Sequence, residues 1–286
     1  MRNRSEESNG WAVLCDSGDS RRCSLFQDCR KPDRDSVKVQ FYEELRRPAA
    51  AKLAPEKVRS NATGYSFRAV QSSAVRSIVF LPNDNVLAVC YDTGDWGLWD
   101  WRTRKEIHRT TVSAGVPLQS IAASRDGLLA VGGGVRQRET EVHIYRVRDK
   151  RVEFLRTISQ PDSVRCLCFS PSGRWLAVGD FSSNARVWDV AHSVNDDLKP
   201  TVLGAGHSVS DIAYSLDEKT VAATAGVKII LWHADSGEEM ATIDAGEELE
   251  GIASIEAGMV TASEEGPIRL WRVAKSGEEF ELLGPR

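Results

Sequence analysis

From residue 73 onward the apolar positions fall in short runs separated by turn-forming residues. A run of the type Val-x-x-Ile-x-Phe is followed by a turn, a Leu-Ala-Val-type run, and a third run ending in Leu-Trp-Asp or a relative of it. The pattern returns five times. Its opening positions are Val75, Leu118, Val164, Val209 and Leu249, with gaps of 43, 46, 45 and 40 residues. The third-run aromatics Trp99, Tyr145, Trp188, Trp232 and Trp271 keep step, with gaps of 46, 43, 44 and 39. Enrichment in Val, Ile and aromatics predicts strands. Asn, Asp, Gly and Pro between them predict tight reversals.

A fixed period of about 40–45 residues carrying four short strands is the signature of propeller blades. The first blade runs Val75–Phe80, turns at Pro82 to Asn85, and continues through Val86–Val89 and Trp96–Asp100, with Ile107 marking its fourth strand. The third blade is the cleanest copy: Val164–Phe169, Trp175–Asp180 and Ala185–Asp189. Blade two carries an insertion, Gly132–Thr140, and blade three another around Ala191–Pro200. Insertions of this kind map to loops on one face or edge.

The N-terminal part is less regular. Residues 1–65 read as a basic arm, either a degenerate blade plus linker or an irregular segment, and 66–286 as the propeller. Trp11–Cys15 resembles a second strand, Ser36–Tyr42 a third, and Ser66–Val70 the outer strand after it.

Four third runs carry a repeat motif: Leu98-Trp99-Asp100, Val187-Trp188-Asp189, Leu231-Trp232-His233 and Leu270-Trp271-Arg272, and Gly206-His207 precedes blade four. These residues resemble the WD40 repeat family over roughly residues 66–286. The resemblance implies an all-β WD40-type propeller. Five clear blades plus the degenerate N-terminal one give six, or a truncated seven. Family blades are pinned by an Asp-His-Ser-Trp hydrogen-bonded tetrad, and this chain departs from it. Blade four has His207 and Trp232, but Ala223 sits at the Ser position. Blade three has Asp180 and Trp188, but Val178 replaces Ser and Ile158-Ser159-Gln160 replaces Gly-His. His207 reads as a structural remnant of that tetrad.

The formal net charge of the 286 residues is -4, which gives no global pull towards nucleic acid or an anionic membrane. The balance is uneven, at +4 over residues 1–72 and -8 over the rest. The first residues lack the continuous apolar stretch of a signal peptide, and no run approaches the ~20 residues that span a bilayer. The six cysteines show neither metal-type spacing nor a dense disulfide framework. Free thiols point to a reducing compartment, cytoplasm or nucleus.

Signals for catalysis are weak. The chain has no Gly-x-Ser-x-Gly elbow, phosphate loop or His-Glu-x-x-His. Gly132-Gly133-Gly134 reads as a flexible loop. Cys166 and Cys168, two apart on one strand, read as buried small side chains. No cofactor and no metal are expected.

The family implies instead that residues just inside each first strand, near the channel entrance, contact partner peptides. By register these are Arg76, Gln119, Arg165, Ser210 and Glu250. Two arginines on one rim suit acidic or phosphorylated segments, which a guanidinium grips bidentately. Exposure of Trp96, Trp101 or Trp175 would add to an interface. The expectation is a non-catalytic scaffold for other proteins. A sensory or regulatory part of a larger multidomain protein comes second, and a propeller hydrolase is a remote third. Because an open ring exposes blade faces and edge strands, deleting residues 1–65 is expected to give insoluble or self-associating protein. A deletion variant that stays monomeric in gel filtration with unchanged melting would contradict it.

Overall fold

The computed structural model describes residues 37–39, 65–67, 73–82, 85–191, 199–255, 258–263, 266, 268–273 and 280–283. Every regular element among them is a strand. Strands β1 (Val37–Val39) and β2 (Tyr65–Phe67) pair with each other. The other twenty form five four-stranded antiparallel sheets, each in chain order. Blade one is β3 (Val75–Phe80), β4 (Val86–Tyr91), β5 (Asp95–Asp100) and β6 (Lys105–Thr111). Blade two is β7 (Leu118–Ala123), β8 (Leu128–Gly133), β9 (Thr140–Arg148) and β10 (Arg151–Gln160). Blade three is β11 (Val164–Phe169), β12 (Trp175–Asp180), β13 (Asn184–Asp189) and β14 (Thr201–Gly204). Blade four is β15 (Val209–Tyr214), β16 (Thr220–Ala225), β17 (Lys228–His233) and β18 (Glu239–Asp244). Blade five is β19 (Leu249–Ile255), β20 (Gly258–Ser263), β21 (Arg269–Val273) and β22 (Phe280–Leu283). First strands pack side by side in the order β3, β7, β11, β15, β19, so they line the centre of the array.

The second strands of blades two to four are apolar on both faces because each lies between two neighbouring blades. Successive side chains of a strand point to opposite faces. Thus Ala177 and Val187 of blade three pack towards Val221, Ala223 and Trp232 of blade four. Leu176, Val178 and Trp188 of the same blade pack back on Ala130, Ile144 and Ile158 of blade two. Outer strands have only one neighbour and carry exposed residues, among them Ile107, Phe154, Val202 and Met240.

The turn after three of the first strands is fastened by a serine. The Ser124, Ser170 and Ser215 hydroxyls accept from the amides of Leu128, Trp175 and Thr220 at 2.9, 3.2 and 2.9 Å. The turn also needs a left-handed residue, which Gly127 (φ 88°), Gly173 (φ 76°) and Glu218 (φ 61°) supply. Glu218, though not glycine, does a second job: its carboxylate accepts from the Ser172 amide and, at 2.9 Å, from the Ser172 hydroxyl in blade three's turn.

The glycine run is not a loop. Gly132 and Gly133 end β8 and are buried; a Cβ on Gly133 would lie 2.2 Å from the Pro117 carbonyl oxygen. Only Gly134, at φ 123°, opens the loop. Trp11–Cys15, Cys15, Cys23 and Cys29 lie outside the described residues, as does most of the Ala191–Pro200 insertion.

The third-strand tryptophans of blades one, three and five are held differently. Trp271 Nε1 donates to Thr261 Oγ1 at 2.8 Å, and Trp99 Nε1 donates to the Tyr91 hydroxyl at 3.0 Å. Trp188 Nε1 is buried without a hydrogen-bond partner among the described residues. Register explains the contrast. Leu176 pairs with Trp188 as Met259 pairs with Trp271, so Val178 stands where blade five has Thr261. A buried donor left unmade costs about 1–3 kcal/mol. Val178→Thr is therefore expected to hold or raise the urea midpoint. Val131→Thr, at the same position of blade two where Tyr145 replaces the tryptophan, is expected to lower it.

Candidate functional site: the channel rim

Each first strand departs from its ladder at the second residue. Val75 pairs with Tyr91 and Ser77 with Cys90, so Arg76 is an extra residue on the β3 side. The same shift falls between Leu118 and Ser120, Val164 and Cys166, Val209 and Asp211, and Leu249 and Gly251. The extra residues are Arg76, Gln119, Arg165, Ser210 and Glu250. A bulge re-aims the side chain it carries and is common beside functional sites. All five are half-buried, at the same end of the central strands.

Two of the five meet. Arg165 Nη2 donates to Glu250 Oε2 at 3.1 Å, although 85 residues separate them. The pair joins blade three to blade five past Ser210 of blade four. Arg165 also lies against Phe181, its Cζ 5.5 Å from the ring centroid, and Arg136 covers the same ring at 4.4 Å. A guanidinium over an aromatic face is attracted by the ring quadrupole. Arg76 stands apart, with Nη2 4.0 Å from Asp92 Oδ2. Both rim arginines thus already face a carboxylate, which the sequence did not reveal.

Three further residues complete the rim. Asp211 follows Ser210, and its carboxylate accepts from the amides of Ile212 (2.9 Å) and, in blade five, Ile252 (3.0 Å). Asp162 accepts from the amides of Ser163 and Gln137, both at 2.7 Å, and so ties the loop 134–139 to the start of blade three. Phe181 follows β12 directly. The carboxylate after the blade-four bulge and the aromatic after Asp180 stand out as rim residues only once the register is known.

The expected structural residues fall mostly where the repeat puts them. Trp99, Tyr145, Trp188, Trp232 and Trp271 are all buried; the last four lie between blades, while Trp99 is buried on the outer face of blade one. Asp180 is fully buried; it accepts from the Ser182 amide (2.7 Å) and hydroxyl (2.6 Å) and pairs with Arg186. Asp189 accepts from Arg174 Nε and Nη2 at 2.9 and 2.7 Å. His207 departs from expectation. It is exposed, and its Nδ1 lies 3.5 Å from Ser208 Oγ, so it is not part of a buried network under Trp232. Of the three tryptophans considered for the surface, Trp96 is fully buried against Tyr145, with ring centroids 4.8 Å apart, while Trp101 and Trp175 are half-buried. Burial pushes the Cys166 thiol well up and the Cys168 thiol up to about 11, so both are inert thiols at neutral pH. Among the described residues, no three His, Cys, Asp or Glu side chains gather as a metal site, and no helix is long and apolar enough to cross a membrane.

These features define an all-β radial array whose central strands present a repeated rim: a β-propeller. Its repeats make it a WD40-type propeller. The family model "WD domain, G-beta repeat" matches residues 152–189. The chain is similar to Protein tipD of Dictyostelium discoideum, 27% identical over 115 residues, covering 39% of this chain and 18% of that one. It is likewise 27% identical over 110 residues to Small ribosomal subunit protein RACK1 of Drosophila melanogaster, covering 36% and 33%. The alignments thus span a third or less of those relatives. Among solved structures, the β-propeller domain of Myceliophteria thermophila Cps50 (Swd1) superposes with a TM-score of 0.63 at 16% identity, covering 74% of this chain and 71% of that one. A chain of the Mitotic Checkpoint Complex gives 0.66 at 16% identity, covering 79% and 71%. Both show the fold.

Asp100 ties two blades together. Its Oδ2 accepts from Lys150 Nζ of blade two at 2.8 Å, and Oδ1 accepts from the amides of Arg102 (3.1 Å) and Thr103 (2.9 Å). Lys150 first, then the Thr103 amide, hold its pKa at about 2. A depressed carboxylate pKa adds stability above the usual range near 4, and that stability is lost as pH falls through about 2. Lys150→Gln is expected to unfold at lower urea than wild type at pH 6. The gap should close as pH falls towards 2; a gap independent of pH would refute the coupling.

Proposed function

We propose that the protein is a non-catalytic docking scaffold that binds a protein partner across the channel rim through Arg76, Gln119, Arg165, Ser210 and Glu250. WD40-type propellers are typically interaction scaffolds, and the likeness to chains named for complexes is in keeping with this. The observation that carries the reading is the bulge repeated at one position of all five first strands. It turns five sequence-distant side chains to one mouth while the ladders below stay rigid. Loop variation on such a radial frame favours recognition over chemistry.

The partner segment in this reading is acidic or phosphorylated. Arg165 already takes a carboxylate from Glu250, and Arg136 extends the cationic surface over Phe181. Arginine is the residue suited to such anions and is enriched where interface energy concentrates. A reducing compartment, cytoplasm or nucleus, goes with the same reading.

A charge swap separates recognition from folding. Arg165→Glu together with Glu250→Arg keeps the ion pair but inverts its polarity. Affinity capture with quantitative mass spectrometry is expected to lose a partner in the swapped variant and in Arg76→Glu, and to keep it in Phe154→Ser on the outer edge. Equal recovery from all four proteins, each with wild-type melting, would move the site off the rim.

A further inference from the structure

The two ends of the five-blade array differ. In each of blades two to five, the face carrying the third-strand aromatic packs on the blade before it. Blade one has the same face, built from Val75, Leu87, Val89, Tyr91 and Trp99, yet this cluster draws on blade one alone among the described residues. The face is nonetheless covered: Leu87 is 1% exposed, Val89 3%, Tyr91 1% and Trp99 5%. A bare sheet face cannot reach such values.

Blade five supplies the control. Its far face corresponds, by register, to the blade-four face of Ala213, Ala222 and Leu231. Those three are buried against blade five. Their counterparts are not: Ala253 is exposed, and Val260 and Leu270 are half-buried. An end face with no neighbouring blade among the described residues is thus partly open, whereas the blade-one face is closed.

The β1–β2 sheet matches the missing cover on two counts. Register pairs Val37 with Phe67 and Val39 with Tyr65, with the polar pair Lys38 and Ser66 between them. Apolar pairs alternating with a polar pair are the pattern of a sheet with one buried face. The tether also fits. Seven residues separate Phe67 from Val75, close to the six between the outer strand of blade one and the first strand of blade two. β2 therefore stands in the chain where the outer strand of a preceding blade belongs, with β1 as its third strand.

We infer that the β1–β2 sheet docks on the Trp99 face of blade one as the outer half of a sixth blade. Burial of a sheet face against another sheet is the contact that holds the remaining blades. The surface on blade one is thus an intramolecular docking site, occupied by the segment of the chain that precedes it.

Hydroxyl-radical footprinting of the full chain, read residue by residue by mass spectrometry, tests this. Val37→Asp/Phe67→Asp, which alters one apolar pair, is expected to raise Trp99 and Tyr91 oxidation severalfold and leave Trp232, between blades three and four, unchanged. Lys38→Asp/Ser66→Asp should leave all three unchanged. Trp99 oxidation that stays at the wild-type level in the apolar-pair variant, or rises equally in the polar-pair variant, overturns the inference. A second measurement covers the case in which the apolar-pair variant fails to fold. Benzoylphenylalanine at position 67 of the otherwise native chain is expected to cross-link on irradiation to peptides within residues 75–111 of the same molecule. Cross-links to another blade, or to a second copy at twice the mass, overturn it.

Discussion

The structure depends on one constraint: the second strands of blades one to four are covered on both faces. A strand in that position has no solvent side, so it reads as a continuous apolar run, as Val86–Tyr91 and Leu128–Gly133 do. Blades cannot then be stable singly, because removing one uncovers two neighbours. The price in sequence freedom falls on the inner strands, and the loops are left to vary. Glycine enters β8 for the same reason, since the backbone of the first strand approaches too closely for any Cβ at Gly133.

Hydrogen bonding adjusts to this packing instead of directing it. The third-strand aromatic is buried at an equivalent place in each blade, yet the indole N–H meets a threonine in blade five and a tyrosine in blade one. A repeat held by one obligatory polar network would not tolerate that substitution. Stability here rests on area removed from water, about 25 cal/mol per Å² of apolar surface, and polar contacts are local fastenings such as the serines after the first strands.

Much of the fold was legible because the period survives in residues that the packing makes obligatory. Val75, Val164 and Val209 open first strands where the spacing places them, and Trp99, Trp188 and Trp232 close the third. The bulged rim positions were legible for the same reason, as they sit one residue beyond those openings. What those residues touch was not legible. The bond between Arg165 and Glu250 joins positions 85 apart, and nothing local to either encodes it. His207 shows the converse failure: its dipeptide matched the family, but the connection to Val209 leaves it on the surface. Asp211 and Phe181 carried no signal because their importance lies in the neighbouring blade.

Repeat arrays usually behave as one-dimensional systems in which each unit feels only the next. The Arg165–Glu250 pair breaks that rule, because it connects blades three and five directly. Asp211 adds a second strut by accepting an amide of blade five from within blade four. Three consecutive blades are thereby triangulated at the rim, like a braced frame in place of a row of hinges. A tilt of blade four cannot occur without stretching one of these links. The mouth over blades three to five should therefore move as one rigid body, and whatever docks there meets a surface that does not need to be shaped on contact.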